Sequence, residues 1–418
     1  MRRLSLIVVA AVWLGVGLPR IALAQPFGLE LHNTLMPASG GMGGVSIARP
    51  QDLLSTFNAN PATMSQFEGT QFVLGSAWAD PNIRITQTQA LPIANVDPFT
   101  QSSAAPGALA GNIGVVQNFN DYDLPIAVGA GLVSTSGGNL DFRSNPATNG
   151  TSAQILVLNV VTGASVQVTE KLSIGAGMSL GTGFMDAPFS GLGAMTTSYG
   201  LRGQVGASYF VRPDTTIGAY YQSKQHFEFE DAIRLSLLGN TFSRSFDVPM
   251  DLPQNIGIGV ANTSLMDGNL LLAADLLFKQ WDNCDLFRDV YRNQWVIQTG
   301  AQYSWGRARF RGGYVYAQNP VAPITSAVVD GIPVQDLVAG ASYLQAQVAV
   351  INEHRFSIGM GLVDILPGLN LDSFAGFMAP AEQQLAGTNL GMSSYYLGAG
   401  ATWRFGARSG LKTETPSY

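Results

Sequence analysis

The chain has 418 residues with 22 basic against 28 acidic, and only 12% are charged while 46% are hydrophobic and 48 are glycine. Soluble domains carry about twice that share of charge, so the composition does not fit an ordinary periplasmic globule, and the acidic balance argues against nucleic acid as a partner. The one cysteine, Cys284, allows no internal disulfide and has no His or second Cys near it in sequence to make it a reactive thiol.

Met1-Arg2-Arg3 is a basic start, Leu4 to Leu18 an apolar run, and Ala22-Leu23-Ala24 a small-x-small cleavage site before Gln25. The run is shorter than the roughly 20 residues that span a bilayer, and it ends in Pro19-Arg20. Residues 1–24 therefore read as a cleaved export signal rather than an anchor. Its removal leaves 19 basic against 28 acidic residues, a formal charge of −9 on the mature chain.

Residues 25–68 show no alternation. They contain Gly40-Gly41-Met42-Gly43-Gly44 and the breaker pairs Met36-Pro37, Arg49-Pro50 and Asn60-Pro61, with short apolar pieces between them. A periplasmic linker would be more polar. A segment this apolar, placed ahead of the strands, is expected inside a barrel, its irregular backbone bonded to lumen side chains.

From residue 69 to 405 the pattern has period two. Leu172, Ile174, Ala176, Met178 and Leu180 take one face, and Ser173, Gly175, Gly177, Ser179 and Gly181 the other. Leu124 to Leu132, Ile256 to Val260 and Phe356 to Leu362 repeat it. The second face, rich in Gly, Ser, Gln and Arg, would make a poor dry core but a good lumen. Past the leader no segment has the apolar length of a membrane helix, so a closed all-β transmembrane antiparallel barrel is the remaining way to satisfy the backbone in lipid.

Tight turns are expected at Asn120 to Asp123, Thr169-Glu170, Arg212 to Asp214, Ser264 to Asp267, Gly306, and Ile365 to Pro367. Longer linkers fall near 80–107, 135–152, 185–197, 230–251, 282–289, 318–353 and 380–392. That alternation predicts about fourteen strands, both termini at the periplasmic side and the long linkers outside. The last strand ends Gly398-Ala399-Gly400-Ala401-Thr402-Trp403-Arg404-Phe405, which suits an interfacial aromatic girdle and resembles the recognition signal of the outer-membrane assembly machinery. A polar tail, residues 406–418, follows it.

Asn60-Pro61-Ala62 with Met64 and Phe67 resembles the hatch motif of the FadL family of outer-membrane transport proteins, and Trp78 to Ile83 resembles the end of that family's first strand. Leu252-Pro253, Gly257, Asp275, Trp281, Phe287 to Arg292, Phe310 to Tyr314 and Asn319-Pro320 continue the likeness in order along the mature chain. The resemblance implies a fourteen-stranded monomeric barrel with an N-terminal hatch, carrying hydrophobic small molecules passively and without a cofactor. It implies a bacterial outer-membrane setting among lipids and lipopolysaccharide. It further implies capture by exterior loops and release sideways through the wall when the hatch moves. Fatty-acid members carry a lysine shortly before the Phe-basic-Asp stretch. Here Trp281-Asp282-Asn283-Cys284-Asp285 offers two acids and no base, which leaves neutral hydrocarbons open and Arg288 as a substitute cation.

Candidate ligand contacts are Phe27, Leu29 and Leu31 at the hatch start, Phe189, Leu192 and Met195 in one exterior loop, and Leu235, Leu238 and Phe242 in another, where Asp231 to Leu238 could form a helical turn. Packing between loops would use the same residues. The pleat sends Arg202, Gln204, Arg292, Gln294, Gln298 and Gln302 inward, with Arg307, Arg309 and Arg311 as a basic row at the periplasmic rim. Guanidinium suits a carboxylate ligand, but pairing with hatch or wall acids such as Glu30 and Asp52 is the favoured expectation, because an unpaired buried row is costly. No metal site is expected. His32, His226 and His354 stand in no metal-ligand or nucleophile spacing, which disfavours a lipase-type barrel; a general porin or adhesin barrel is the other alternative.

Overall fold

The computed structural model describes residues 29–92, 94–186, 195–237, 242–324, 328–329, 332–333 and 335–405. The alternating segments form wall strands β1 (Thr70–Gln87), β2 (Ala108–Asn118), β3 (Ile126–Asp141), β4 (Ser152–Gln167), β5 (Leu172–Asp186), β6 (Thr196–Arg212) and β7 (Thr215–Gln222). They continue as β8 (Gln254–Leu265), β9 (Leu270–Gln280), β10 (Gln294–Trp305), β11 (Ala308–Ala317), β12 (His354–Leu366), β13 (Leu369–Leu385) and β14 (Thr388–Phe405). Each pairs antiparallel with its neighbour in sequence, and β14 pairs with β1 from Thr70 opposite Phe405 to Gln87 opposite Thr388, so the fourteen strands close on themselves.

Side-chain alternation decides which face is lipid. On β5, Ile174, Met178 and Leu180 are about half exposed while Ser173 and Ser179 are buried inside. Leu74, Ile258 and Ile358 project outward in the same way. Aromatic side chains band both ends of this apolar belt: Tyr209, Trp305, Phe310, Trp403 and Phe405 at the tight-turn end, Tyr199, Trp295 and Phe356 at the other.

The six tight turns fall where the sequence places them. The seventh long linker does not: β13 and β14 run on to a two-residue connection, Ala386-Gly387, in which Gly387 takes φ 77°, the left-handed geometry that short hairpins require. Two long connections carry structure that the sequence reading missed. Gln225–Leu237 and Phe242–Leu252 form a hairpin rather than a helical turn, because Phe227 and Phe229 pack inward and Asp231, at φ 51°, absorbs a bulge. Helix α1 (Gln335–Val348) lies in the connection after β11, its Ala339, Tyr343 and Ala346 buried at helical spacing.

Candidate functional site

Residues 30–64 are almost wholly buried within the ring, and the wall supplies both the room and the bonds that hold them. Room comes from lumen-facing glycines: a Cβ on Gly313 would land on the backbone of Met42 and Gly43, and one on Gly175 on Pro61 and Ala62. Bonds come from lumen-facing amides, hydroxyls and acids. Gln298 Nε2 donates to Gly43 O at 2.9 Å, Gln204 Nε2 to Phe57 O at 3.0 Å, and Asp275 Oδ2 accepts the N–H groups of Ser46 and Ile47 at 2.7 and 3.0 Å. Irregular backbone that could not survive in lipid is thereby satisfied.

The Asn60-Pro61-Ala62 motif has a mechanical reason. Asn60 Oδ1 accepts from Ala62 N at 3.1 Å and caps the 3-10 turn Pro61–Gln66, while Nδ2 donates to Ile47 O at 2.8 Å and to Ala207 O of β6 at 2.9 Å. One side chain thus ties turn, hatch and wall together. Asn145-Pro146-Ala147 in an exterior loop makes the same cap, Asn145 Oδ1 to Ala147 N at 3.0 Å.

At the start of the described hatch, Leu29 and Glu30 pair as a short strand with Gly137 and Ser136 of β3. Glu30 is buried and bonded to Arg202 Nη1 at 2.6 Å, to Asn255 Nδ2 at 2.7 Å and, at 3.5 Å, to Lys279 Nζ, which also donates to its carbonyl. Burial alone would favour the neutral acid, but the Arg202 and Lys279 charges hold its pKa down to about 2. Next to it His32 stacks on Tyr220 at 5.8 Å, its Nε2 buried without a partner. Burial, with Lys279 adding to it, lowers its pKa to about 3, so it is neutral.

That short strand occupies an edge that β2 has left. The β2–β3 ladder runs from Asn118 opposite Ala127 only as far as Ile113 opposite Leu132; beyond it β2 stays with β1, while β3 shifts register at Ser134 to Ser136 and turns inward with β4. The result is a window in the wall. Ser134 N on Asn112 Oδ1 at 2.9 Å frames it below, and Ala104 N on Asp141 O at 2.8 Å frames it above.

Above the hatch the lumen is apolar. Leu31 and Leu35 join Phe99, Phe142, Phe227, Phe229, Tyr343, Phe374 and Tyr396 in one buried cluster. Trp281, Phe287 and Tyr291 add a set of rings with centroids 5.1–5.2 Å apart. Cys284 is buried among these residues, its Sγ 3.3 Å from Gln280 O, and burial pushes its thiol up to about 12, so it is inert packing. Arg355, near the loop end of β12, is 3% exposed and makes no hydrogen bond or ion pair to any described residue.

The sequence-chosen contacts divide. Leu31 is in the apolar cluster and Met195 is 59% exposed on the outer rim. Phe27, Phe189, Leu192 and Leu238 lie outside the described residues; Leu29, Leu235 and Phe242 are placed by backbone alone, Leu235 opposite Arg244 and Phe242 opposite Leu237. Arg288 does not face the lumen: it is exposed and paired with Asp285 and Asp289. Nor do the three rim arginines form one inward row. Arg307 sits exposed in the β10–β11 turn, Arg309 is half-buried, and Arg311 is buried on Asp372 at 2.6 Å and Gln302 at 2.7 Å. Arg292 is exposed as well. The expected pairing with an acid is met for Arg311 by the wall's Asp372; Glu30 and Asp52 are not partners of the three, for Glu30 pairs with Arg202 and Asp52 accepts backbone N–H groups of Ala38, Ser39 and Ser55. Lys279 and Arg355 were missed, though each takes an inward position in its strand's alternation.

Residues 20–353 match the sequence profile of the family described as "Outer membrane protein transport protein (OMPP1/FadL/TodX)". No curated protein matches the sequence. Among solved structures, the toluene transporter TodX of P. putida superposes with a TM-score of 0.67 at 16% identity, covering 91% of this chain and all of that one. A FadL homologue of Pseudomonas aeruginosa gives 0.68 at 16% identity with the same coverage, and the toluene transporter TbuX of Ralstonia pickettii 0.62 at 20%, covering 90% of this chain and 99% of that one. With a closed fourteen-stranded barrel around a docked N-terminal segment, the chain belongs to the FadL/TodX family of bacterial outer-membrane transport proteins.

Proposed function

We propose that this protein, exported by a cleaved N-terminal signal, is a passive channel for hydrophobic small molecules that leave through the wall rather than along the bore. The observation that carries the reading is the window between β2 and β3, whose free β3 edge is covered by Leu29–Glu30 of the hatch. An apolar molecule entering from the loops meets the aromatic cluster around Leu31 and Leu35, where contacts are many and directional bonds few, so binding is graded and release is not costly. Withdrawal of the hatch start from β3 uncovers the window, and the ligand passes into lipid without crossing the polar lower lumen. TodX and TbuX, by name toluene transporters, make aromatic hydrocarbons one natural ligand class.

Arg355 favours a second reading for the ligand's chemistry. A guanidinium this buried and unpartnered is stabilised by an oxyanion brought to it, which points to apolar molecules ending in a carboxylate. One experiment tests both readings: uptake of labelled arenes, alkanes and their matched carboxylic acids by cells with and without the gene, and with Arg355→Met. The transport reading requires at least one compound to depend on the gene. The carboxylate reading requires Arg355→Met to reduce acid uptake about tenfold while hydrocarbon uptake stays within twofold, and an equal effect on both defeats it.

A further inference from the structure

We propose that the seam between the hatch and the wall at the tight-turn end binds a small soluble oxyanion, a phosphate or carboxylate group, which latches the hatch to the barrel. The proposal stands independently of the transported ligand. Hatch residues Arg49 to Leu53 and the ends of the strands enclose a cavity of about 310 Å³ there. Arg49 enters from the hatch, and Arg309 of β11 and Arg404 of β14 from the wall.

The acids around this cavity are already engaged. Asp52 is bonded to backbone N–H groups of Ala38, Ser39 and Ser55, Asp372 to Arg311 at 2.6 Å, and Asp364 to Arg404 at 2.5 Å. Two cations there make no direct contact with an acid: neither Arg49 nor Arg309 makes a side-chain hydrogen bond or ion pair with a described residue, although Asp372 and Asp364 attract Arg309 at longer range. One further donor of a lining residue is buried and unused, Nε of Arg404. A buried donor that goes unpaired costs about 1–3 kcal/mol, and this applies to Arg404 Nε. Guanidinium forks match the oxygen pairs of phosphate and carboxylate, so one oxyanion would satisfy donors from both sides of the seam and join them. The lining residues come from the hatch, from inward positions of the strands and from the β8–β9 turn at the open end of the lumen, which leaves an anion dissolved in the periplasm as the ligand.

The test is calorimetric titration of the full chain in detergent with inorganic phosphate and, separately, with acetate, ionic strength being held constant with chloride. Saturable binding of at least one anion is expected, weakened at least tenfold in Arg49→Gln and in Arg309→Gln, together with slower amide exchange of residues 49–55 when that anion is bound. Arg49 is exposed on the hatch, so its substitution leaves the wall intact, and the wild-type titration decides the matter even if Arg309→Gln does not assemble. Heat that tracks ionic strength alone, or affinity unchanged in both variants, overturns the proposal.

Discussion

At Glu30 and His32 two buried titratable groups sit within three residues, and both oppose acid. Glu30 keeps its charge because Arg202 and Lys279 outweigh the cost of burial, with a pKa of about 2 against an ordinary 4.5; His32 stays neutral down to about 3 against 6.5. Both folded values lie below the free ones, so an undocked hatch binds more protons and docking weakens as pH falls. His32 contributes from about pH 6.5 down to 3, and Glu30 adds its part between 4.5 and 2. We expect opening events of purified protein in planar bilayers to become roughly tenfold more frequent per pH unit below 6. His32→Gln should flatten that rise above pH 4.5, and a wild-type record that does not change between pH 7 and 4.5 contradicts the argument.

Among the elements, β11 and β2 make opposite uses of small and polar residues. Gly313 of β11 has no side chain because the hatch backbone at Met42 and Gly43 occupies that space, whereas a Cβ on neighbouring Gly312 meets nothing within 4 Å. Gly313→Val should therefore cost hatch docking about 1–3 kcal/mol by overpacking and raise baseline conductance, with Gly312→Val as the silent control. Asn112 of β2 is 2% exposed and frames the window. Asn112→Trp should fill it and cut uptake at least tenfold with conductance unchanged, and full uptake by that variant would rule out exit between β2 and β3. The strands themselves were legible in sequence because a half-buried wall imposes period two on every residue. The loop hairpin and helix α1 were not, since buried aromatics such as Phe227 and Tyr343 choose their conformation through partners distant in the chain. The same holds for the site: Asn60 announces itself by its local cap, while the Glu30, Arg202 and Lys279 cluster joins three segments that no spacing links.

For the molecule as a whole, the bore is wide enough to need filling, and the hatch fills it. Residues 30–64 present backbone and large apolar side chains such as Leu53, Leu54, Phe57 and Met64 to the wall, so the seal consists of many close contacts. Deletion of residues 30–66 should yield a barrel that still inserts but shows steady, large conductance; a closed baseline in that variant would mean that the exterior loops seal the channel on their own. The charge distribution agrees with this division: large apolar side chains such as Leu74, Ile258 and Ile358 face lipid, and the buried ion pairs Arg202–Glu30 and Arg311–Asp372 face inward.

The closure between β1 and β14 carries a consequence for biogenesis. The hatch immediately precedes the first strand, and the partner of that strand is the last one made, so the cylinder cannot shut until synthesis and export are finished. Until then the curved sheet is open along one side, and the amino-terminal segment can settle against its concave surface without being threaded through any hole. Once the eighteen-residue seam has zipped from Thr70 to Gln87, the segment is enclosed on all sides. Its conformation is therefore chosen on an unfinished scaffold, before the wall closes around it.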